Sequence, residues 1–297
     1  MTQCKSELPY KMNNKTKAIL LMLLSSLSFA IMAFFVKLSG DIPLFQKVFF
    51  RDLVVVIFTL CGLASIKVSP WGKKENRLQL WSRGISGFIG VAFYFYSASH
   101  LYLSDSTIIN KLSPFFTTLF AVLLLKEKIK SLQIFALVLS LFGGILVVKP
   151  EFSMSVFPAF CGIIGAIVAG FSYAMVISLT NREEPLVVVF YFSNTSVLCS
   201  FFLMLANFQI PTLQNLIILI CTGIFATGGQ VLLTYAYKYA KASSISVYSY
   251  SIIIFSGLLG FIFWKEIPDF RSVIGGLFII ISGFALYIAQ YLQKKNR

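Results

Sequence analysis

The chain has 297 residues, of which 58% are hydrophobic and 12% are charged, and it contains 31 phenylalanines. This composition excludes a water-soluble globular protein and indicates an integral membrane protein, because so much apolar surface exceeds what a soluble fold of this size can bury. The net charge of +14 would suggest nucleic-acid binding in a soluble protein, but here the basic residues lie between apolar segments, so we expect no nucleic-acid partner.

Apolar segments of about 20 residues, the length that an α-helix needs to cross a bilayer, recur along the whole chain. Helices are expected rather than barrel strands, because these segments are twice as long as a membrane-spanning strand. The predicted spans are 18–39, 43–66, 80–99, 104–125, 131–148, 156–179, 186–206, 213–237, 243–264 and 271–292. We therefore predict an all-α membrane protein with ten transmembrane helices.

The basic residues between the spans orient the chain in the membrane. With the N-terminus inside the cell, most lysines and arginines, including Arg77 and Arg83, fall in cytoplasmic segments, whereas Lys149, Lys265 and Arg271 fall outside. This asymmetry follows the positive-inside rule. It predicts that both termini are cytoplasmic.

The two halves of the chain resemble each other at an offset of 139 residues. This offset superposes LLLKEK (123–128) on IFWKEI (262–267) and pairs Gly90 with Gly229. Because five helices per half is an odd number, the second half must enter the membrane inverted, as in many transporters. The predicted parts are a cytoplasmic tail over 1–17, a first five-helix repeat over 18–150, an inverted repeat over 151–292 and a cytoplasmic tail over 293–297.

These repeat motifs carry a resemblance to a known family. LLLKEK, IFWKEI, the proline-bearing segment LSPFFTTLFAVLLLKE (112–127) and GGILVVKP (143–150) resemble the ten-helix EamA family of the drug/metabolite transporter superfamily. The resemblance implies an alternating-access carrier whose central cavity is lined by the first, third and fourth helices of each half. The second half has Ile253 where the first has Pro114, so we predict a kinked fourth helix in the first half only.

Charged residues inside the predicted spans are the first candidates for a binding site, since a charge at the bilayer centre costs roughly 2.5–3.5 kcal/mol on insertion scales. Lys37 and Lys47 lie near the outer ends of their spans, from which their side chains can reach the interface. Arg51 lies roughly 12 Å into its span. Asp52 points about 100° away from Arg51 and is expected to neutralise a cation on a neighbouring helix, including Lys111. A structural ion pair or helix-positioning network remains the alternative for Arg51 and Asp52.

Lys111 is the leading candidate for substrate contact because of its place beside Pro114. A proline frees a backbone carbonyl three or four residues upstream, near Asn110 and Lys111, and such polar groups require a cavity or water. The buried charges comprise four cations and one carboxylate: Lys37, Lys47, Arg51, Lys111 and Asp52. This excess predicts an electropositive outer half that attracts an anionic substrate through charge-assisted hydrogen bonds.

The second half offers tyrosine and serine hydroxyls instead of charges. Tyr235, its repeat equivalent Tyr96, and Tyr250 could contact a polar or ring-bearing solute, with an interfacial belt or ordinary packing as the alternative. The predicted substrate-binding residues are Lys111, Arg51, Lys47, Asp52, Asn110, Tyr96, Tyr235 and Tyr250.

No motif for enzymatic chemistry accompanies these residues: we find no phosphate-binding loop, paired carboxylates or metal-ligand spacing, and we expect no cofactor, metal or catalytic residue. We predict a secondary active transporter of a small polar metabolite, preferably an organic anion. It would lie among the lipids of a bacterial plasma membrane as a monomer or homodimer, with proton coupling open. One alternative is an exporter of amino acids or lipophilic cations with Asp52 as the coupling carboxylate. Another is a membrane-embedded transferase using Asp52, His100 and Asp105.

Overall fold

The computed structural model describes residues 14–125, 156–179, 182–239 and 245–295, together with 135, 138, 139, 142, 143 and 146. Within these residues the regular elements are helices and there is no strand, as the all-α prediction requires. The α-helices are α1 (Asn14–Leu38), α2 (Leu44–Ser65), α3 (Arg77–His100), α4 (Leu103–Asn110), α5 (Ser113–Leu125), α6 (Val156–Leu179), α7 (Pro185–Met204), α8 (Leu213–Tyr239), α9 (Ser251–Trp264) and α10 (Phe270–Lys295). Short 3-10 helices cover Lys74–Asn76, Leu205–Asn207 and Ser246–Tyr250.

Most of the described helices lie within a few residues of the predicted spans, and the fourth span of each half is the exception. Among the helices that the structure describes, five are long and apolar enough to cross a membrane: α1, α2, α6, α8, and α7 with the 3-10 turn that follows it. α3 begins at Arg77, three residues before the predicted start, and Arg83 lies in its second turn. The predicted span 131–148 lies outside the described residues except for isolated positions, as do both chain ends and Lys126–Glu127. The count of ten spans therefore stays a prediction.

The predicted span 104–125 is broken into two helices. α4 ends at Asn110, and the Lys111 amide bonds to the carbonyl of Ile108 at 3.0 Å in a tightened last turn. α5 then starts at Ser113, immediately before Pro114. Proline has no N–H to continue the helical bonding, so the break falls where the sequence predicts it.

The equivalent span of the second half is also irregular, although Ile253 replaces the proline. Residues Ser246–Tyr250 form a 3-10 helix, and the α-helical part begins only at Ser251. The hydroxyl of Ser251 donates a hydrogen bond to the Tyr248 carbonyl at 2.7 Å, a side-chain bond that competes with regular helical bonding. The prediction that only the first half is irregular is therefore wrong.

The helices pack through contacts between distant parts of the chain. The most extensive pairings join α1 with α8, α3 with α6, and α2 with α7. Small residues allow these close approaches: the Ser25 hydroxyl donates to the Gly229 carbonyl at 2.7 Å, and the Phe29 ring lies where a Cβ on Gly229 would stand. Gly90 similarly packs on α6, because a Cβ at this position would lie 3.3 Å from the backbone nitrogen of Ala169. Helices in membranes commonly associate through small residues in this way.

The outer face of the bundle is apolar while its interior contains polar groups. Large side chains such as Phe202, Ile217, Ile224 and Leu277 are at least half exposed. In water such a surface would drive aggregation, whereas lipid tails match it. The charged residues described next are instead buried between the helices.

Candidate functional site

An ion pair lies deep in the bundle on α2. Arg51 and Asp52 are 1% and 0% exposed, and Arg51 Nη1 donates to Asp52 Oδ1 at 2.6 Å. The other carboxylate oxygen, Oδ2, accepts a hydrogen bond from the Ser196 hydroxyl of α7. The rings of Phe95 and Phe192 flank the guanidinium, with centroids 5.8 and 5.2 Å from Arg51 Cζ. The charge is thus held in an apolar, aromatic environment.

A second arginine, Arg83 of α3, lies against the same Phe192 ring. Its Cζ is 4.3 Å from the ring centroid, and its Nη1 donates to the Ser172 hydroxyl of α6 at 2.7 Å. Gly87, one turn along α3, makes this possible, because a Cβ there would stand 2.5 Å from Phe192 and closer still to Arg83 Nη1. The charge pattern of the sequence predicts a cytoplasmic position for Arg83, whereas the structure buries it at 3% exposure. The glycine four residues after the arginine is the one local signal of this arrangement.

We call Arg51, Asp52 and Arg83 the arginine cluster. Each of the three groups interacts electrostatically with the other two. Among the described residues, the buried Nε atoms of Arg51 and Arg83 have no hydrogen-bond partner. A guanidinium carries five N–H donors, and a buried donor without an acceptor costs about 1–3 kcal/mol. The two Nε–H groups of the cluster can therefore donate hydrogen bonds to an anionic group.

Lys111 lies at the break between α4 and α5 and meets the corresponding break in the second half. Its Nζ donates to the Ser249 hydroxyl at 3.3 Å and lies 5.9 Å from the centroid of the Tyr250 ring. The repeat offset makes Lys111 and Tyr250 equivalent positions, so two of the predicted site residues contact each other across the halves. Asn110 beside them is half-buried. The predicted partnership of Asp52 with Lys111 is wrong, since Asp52 pairs with the arginine next to it.

Three tyrosines interact electrostatically one after another, starting from the arginine cluster. Tyr173 of α6 interacts electrostatically with both guanidinium groups. Tyr237 of α8 interacts with Tyr173, and Tyr250 with Tyr237. These three tyrosines all belong to the second half of the chain, and the ring of the last, Tyr250, has its centroid 5.9 Å from Lys111 Nζ.

Lys47 belongs to a different part of the structure. Its Nζ donates to the Gly40 carbonyl at 2.7 Å and to the Ser99 hydroxyl at 3.3 Å. These bonds tie the turn between α1 and α2 to the end of α3. Lys47 thus shares a helix with Arg51 but has contacts of its own, away from the arginine cluster.

Lys37 is neutralised by a carboxylate that the predicted charge count omitted. Glu266, which follows α9, forms an ion pair with Lys37 and accepts the amide hydrogen of Leu103 at 2.9 Å. The chain reverses for this contact at Lys265, whose φ of 57° lies in the left-handed region. The count of four cations against one carboxylate is therefore wrong. We call Lys37, Glu266 and Leu103 the α1–α9 latch, since it joins the ends of α1 and α9 to the start of α4.

Tyr96 and Tyr235 lie in two separate networks near the ends of their helices. The Tyr96 ring stacks on His100 with centroids 4.3 Å apart, and the histidine is exposed. The Tyr235 hydroxyl donates to Glu184 at 3.4 Å, beside the ion pair of Glu184 with Lys238. Neither of these contacts involves Lys111 or the arginine cluster.

Comparisons with known proteins bear on the class of protein. The sequence model of the EamA-like transporter family matches twice, over residues 16–149 and 156–288. The pseudopaline exporter CntI of Pseudomonas aeruginosa is 32% identical over 274 residues, covering 90% of this chain and 95% of the exporter. Human solute carrier family 35 member G1 is 25% identical, covering 92% of this chain and 80% of that protein.

A solved structure shows that the fold is shared more widely. One crystal structure superposes with a TM-score of 0.64 at 17% sequence identity, covering 96% of this chain and 97% of the other. The matching family and the named relatives are transporters and not enzymes, so this protein is a membrane transporter. The resemblance predicted from LLLKEK and IFWKEI is confirmed, and the chain belongs to the EamA-like transporter family.

Proposed function

We propose that this protein is a secondary carrier that exports a small polar metabolite bearing an anionic group. The arginine cluster carries this proposal. Two buried guanidinium groups face one carboxylate, and an Nε atom of each lacks an acceptor among the described residues. Guanidinium groups bind carboxylates and phosphates through charge-assisted, often bidentate hydrogen bonds. Export is proposed because the 32%-identical relative is an exporter of pseudopaline.

Alternating access by two inverted repeats, 18–150 and 151–292, is part of the proposal. If α6, α7 and α8 are the counterparts of α1, α2 and α3, the first helix of each half packs on the third of the other, and the second helices pack on each other. Halves related by a two-fold axis require this pattern. The double match of the family model supports the same division. Both termini would then be cytoplasmic, in the plasma membrane of a bacterium.

The cation-exporter alternative is less well supported by the contacts of Asp52. A carboxylate that binds a lipophilic cation needs a free face, whereas both oxygens of Asp52 accept hydrogen bonds, from Arg51 and Ser196. The transferase alternative needs His100 near a carboxylate to act as acid or base. His100 is exposed and stacks on Tyr96 instead.

The test is a thermal-shift screen of purified protein against organic acids, phosphorylated metabolites, amino acids, lipophilic cations and pseudopaline. We expect anionic solutes to stabilise the wild type. Arg83→Gln should weaken that binding by about 10- to 100-fold, the loss of one hydrogen bond to a charged group. Arg182→Gln, the same change at an exposed loop position, is the matched control and should bind as the wild type does.

Counterflow in proteoliposomes then distinguishes a carrier from a channel, since only a carrier exchanges labelled solute against a trans gradient. Stabilisation by cations or neutral solutes alone, unchanged in Arg83→Gln, would contradict the anionic substrate.

A further inference from the structure

The arginine cluster contains two positive charges and one negative charge. Arg51 and Arg83 contribute two positive charges and Asp52 one negative charge, and their residues are 1%, 3% and 0% exposed. We infer that Asp52 determines which solute charge the site accepts. The site selects a solute group with a single negative charge and disfavours dianions and neutral solutes. This inference rests on the proposed function, because it concerns the same site.

The geometry indicates that Asp52 is ionised. Its Oδ1 accepts a hydrogen bond from Arg51 at 2.6 Å, and its Oδ2 accepts one from Ser196. The guanidinium can only donate and carries a fixed positive charge, so its contact with Oδ1 favours the ionised carboxylate, while the Ser196 hydroxyl satisfies Oδ2. The Arg83 charge lies close enough to interact with the same carboxylate. The carboxylate therefore subtracts one charge from the arginine pair.

The groups around the cluster leave this sum unchanged. α6 contributes the Tyr173 phenol and the Ser172 hydroxyl, which are neutral at pH 7, and α7 contributes the Ser196 hydroxyl and the Phe192 ring. On the side of α8, Gly223 packs against the backbone of α2. The net charge of the empty cluster is therefore +1.

A buried net charge is costly, because the low dielectric of the interior weakens the solvation that water would supply. One monoanionic group brings the cluster to neutrality and gives acceptors to the orphaned Nε atoms. A dianion would leave a net charge of −1, and a neutral solute would leave +1. Burial thus converts a difference of one charge into selectivity between solutes of the same size.

Succinate, monomethyl succinate and dimethyl succinate test this inference, because they share a carbon skeleton and differ mainly in charge. Binding is measured by thermal shift and by isothermal titration at pH 7.5. We expect the wild type to bind monomethyl succinate at least about tenfold more tightly than it binds succinate or dimethyl succinate. Asp52→Asn, with a cluster charge of +2, should invert this preference towards succinate by a similar factor. Asp41→Asn makes the same chemical change at an exposed position and should retain the wild-type order.

A double variant keeps the test decisive if Asp52→Asn folds poorly. Asp52→Asn with Arg83→Gln restores a net charge of +1, so we expect the preference for the monoanion to return, although with weaker binding. Arg83→Gln alone has a net charge of zero and should favour the diester.

The outcomes separate the two proposals. If no anion of the series stabilises the wild type, the proposed anion carrier is contradicted. If monoanion and dianion bind equally well, or if their order is the same in wild type and Asp52→Asn, the anion carrier stands and the charge-matching inference is overturned.

Discussion

Removing the charge of Glu266 should open the α1–α9 latch. Glu266→Gln leaves the Lys37 ammonium with the Leu101 carbonyl at 3.0 Å but without its counter-ion, while the glutamine oxygen can still accept the Leu103 amide hydrogen. The two side chains of the pair are only 15% and 9% exposed. The substitution therefore removes the ion pair but keeps the hydrogen bond that the Leu103 amide donates at the start of α4.

The magnitude follows from this partial burial. Exposed ion pairs contribute about 0.2–1 kcal/mol, whereas removing one partner of a fully buried pair costs about 3–5 kcal/mol. A pair at this exposure lies between the two, and we take about 2 kcal/mol. Because 1.4 kcal/mol corresponds to a factor of ten, the population in which α1 and α9 separate should rise by about 30-fold.

The assay measures the access of a thiol reagent to the site. A cysteine replaces Asn110, the half-buried residue beside Lys111, in a protein whose five native cysteines are serines. A membrane-impermeant maleimide is applied to each side of the membrane in turn. We expect Glu266→Gln to be labelled about 30-fold faster from the side where the latch lies, which the sequence predicts to be the outside.

Two controls make this prediction refutable. Glu184→Gln breaks the ion pair with Lys238, whose side chain is 42% exposed, and should change labelling little. Lys37→Met combined with Glu266→Gln leaves no uncompensated charge, so labelling should return towards the wild-type rate. An unchanged rate in Glu266→Gln, or a double variant as open as the single one, would refute the role of the ion pair in closure.

Four further substitutions test the packing and the site. Gly87→Ala forces a methyl group onto the Arg83 guanidinium, so we expect weaker anion binding in the thermal-shift titration and a loss of about 1–3 kcal/mol from overpacking. Gly229→Ala brings a methyl group 2.7 Å from a phenylalanine ring of α1 and should lower the unfolding temperature by a comparable free energy, with substrate affinity retained once folded. Lys111→Met should abolish transport with little change in unfolding temperature. Lys47→Met should lower the unfolding temperature and leave substrate affinity unchanged. The reverse pattern would mean that Lys47 binds substrate and Lys111 supports the fold.

Some site residues were predictable because their signals are local. Pro114 marks the broken helix, since proline ends helical bonding wherever it stands, and Lys111 is identified by its place beside that break. Lys111 and Tyr250 were both expected near a substrate, and the structure brings them into contact. Their roles in binding stay predictions.

Other features depend on positions far apart in the chain. Lys37 and Glu266 are separated by 229 positions, and no local pattern indicates that a carboxylate after α9 returns to the end of α1. Arg83 reads as a cytoplasmic cation because it stands near the start of an apolar segment. Only the packing of α3 against α6 and α7 reveals that it is buried beside Phe192.

The sequence by itself determined the membrane class, most helix boundaries and the family, because hydrophobic segment length and repeated motifs are properties of consecutive residues. The tertiary structure alone decided which charges meet. Asp52 pairs with Arg51, Glu266 pairs with Lys37, and Arg83 joins the cluster. These partnerships depend on how the helices cross, and in a low-dielectric interior the partner of a charge decides whether it is neutralised or left to attract a substrate.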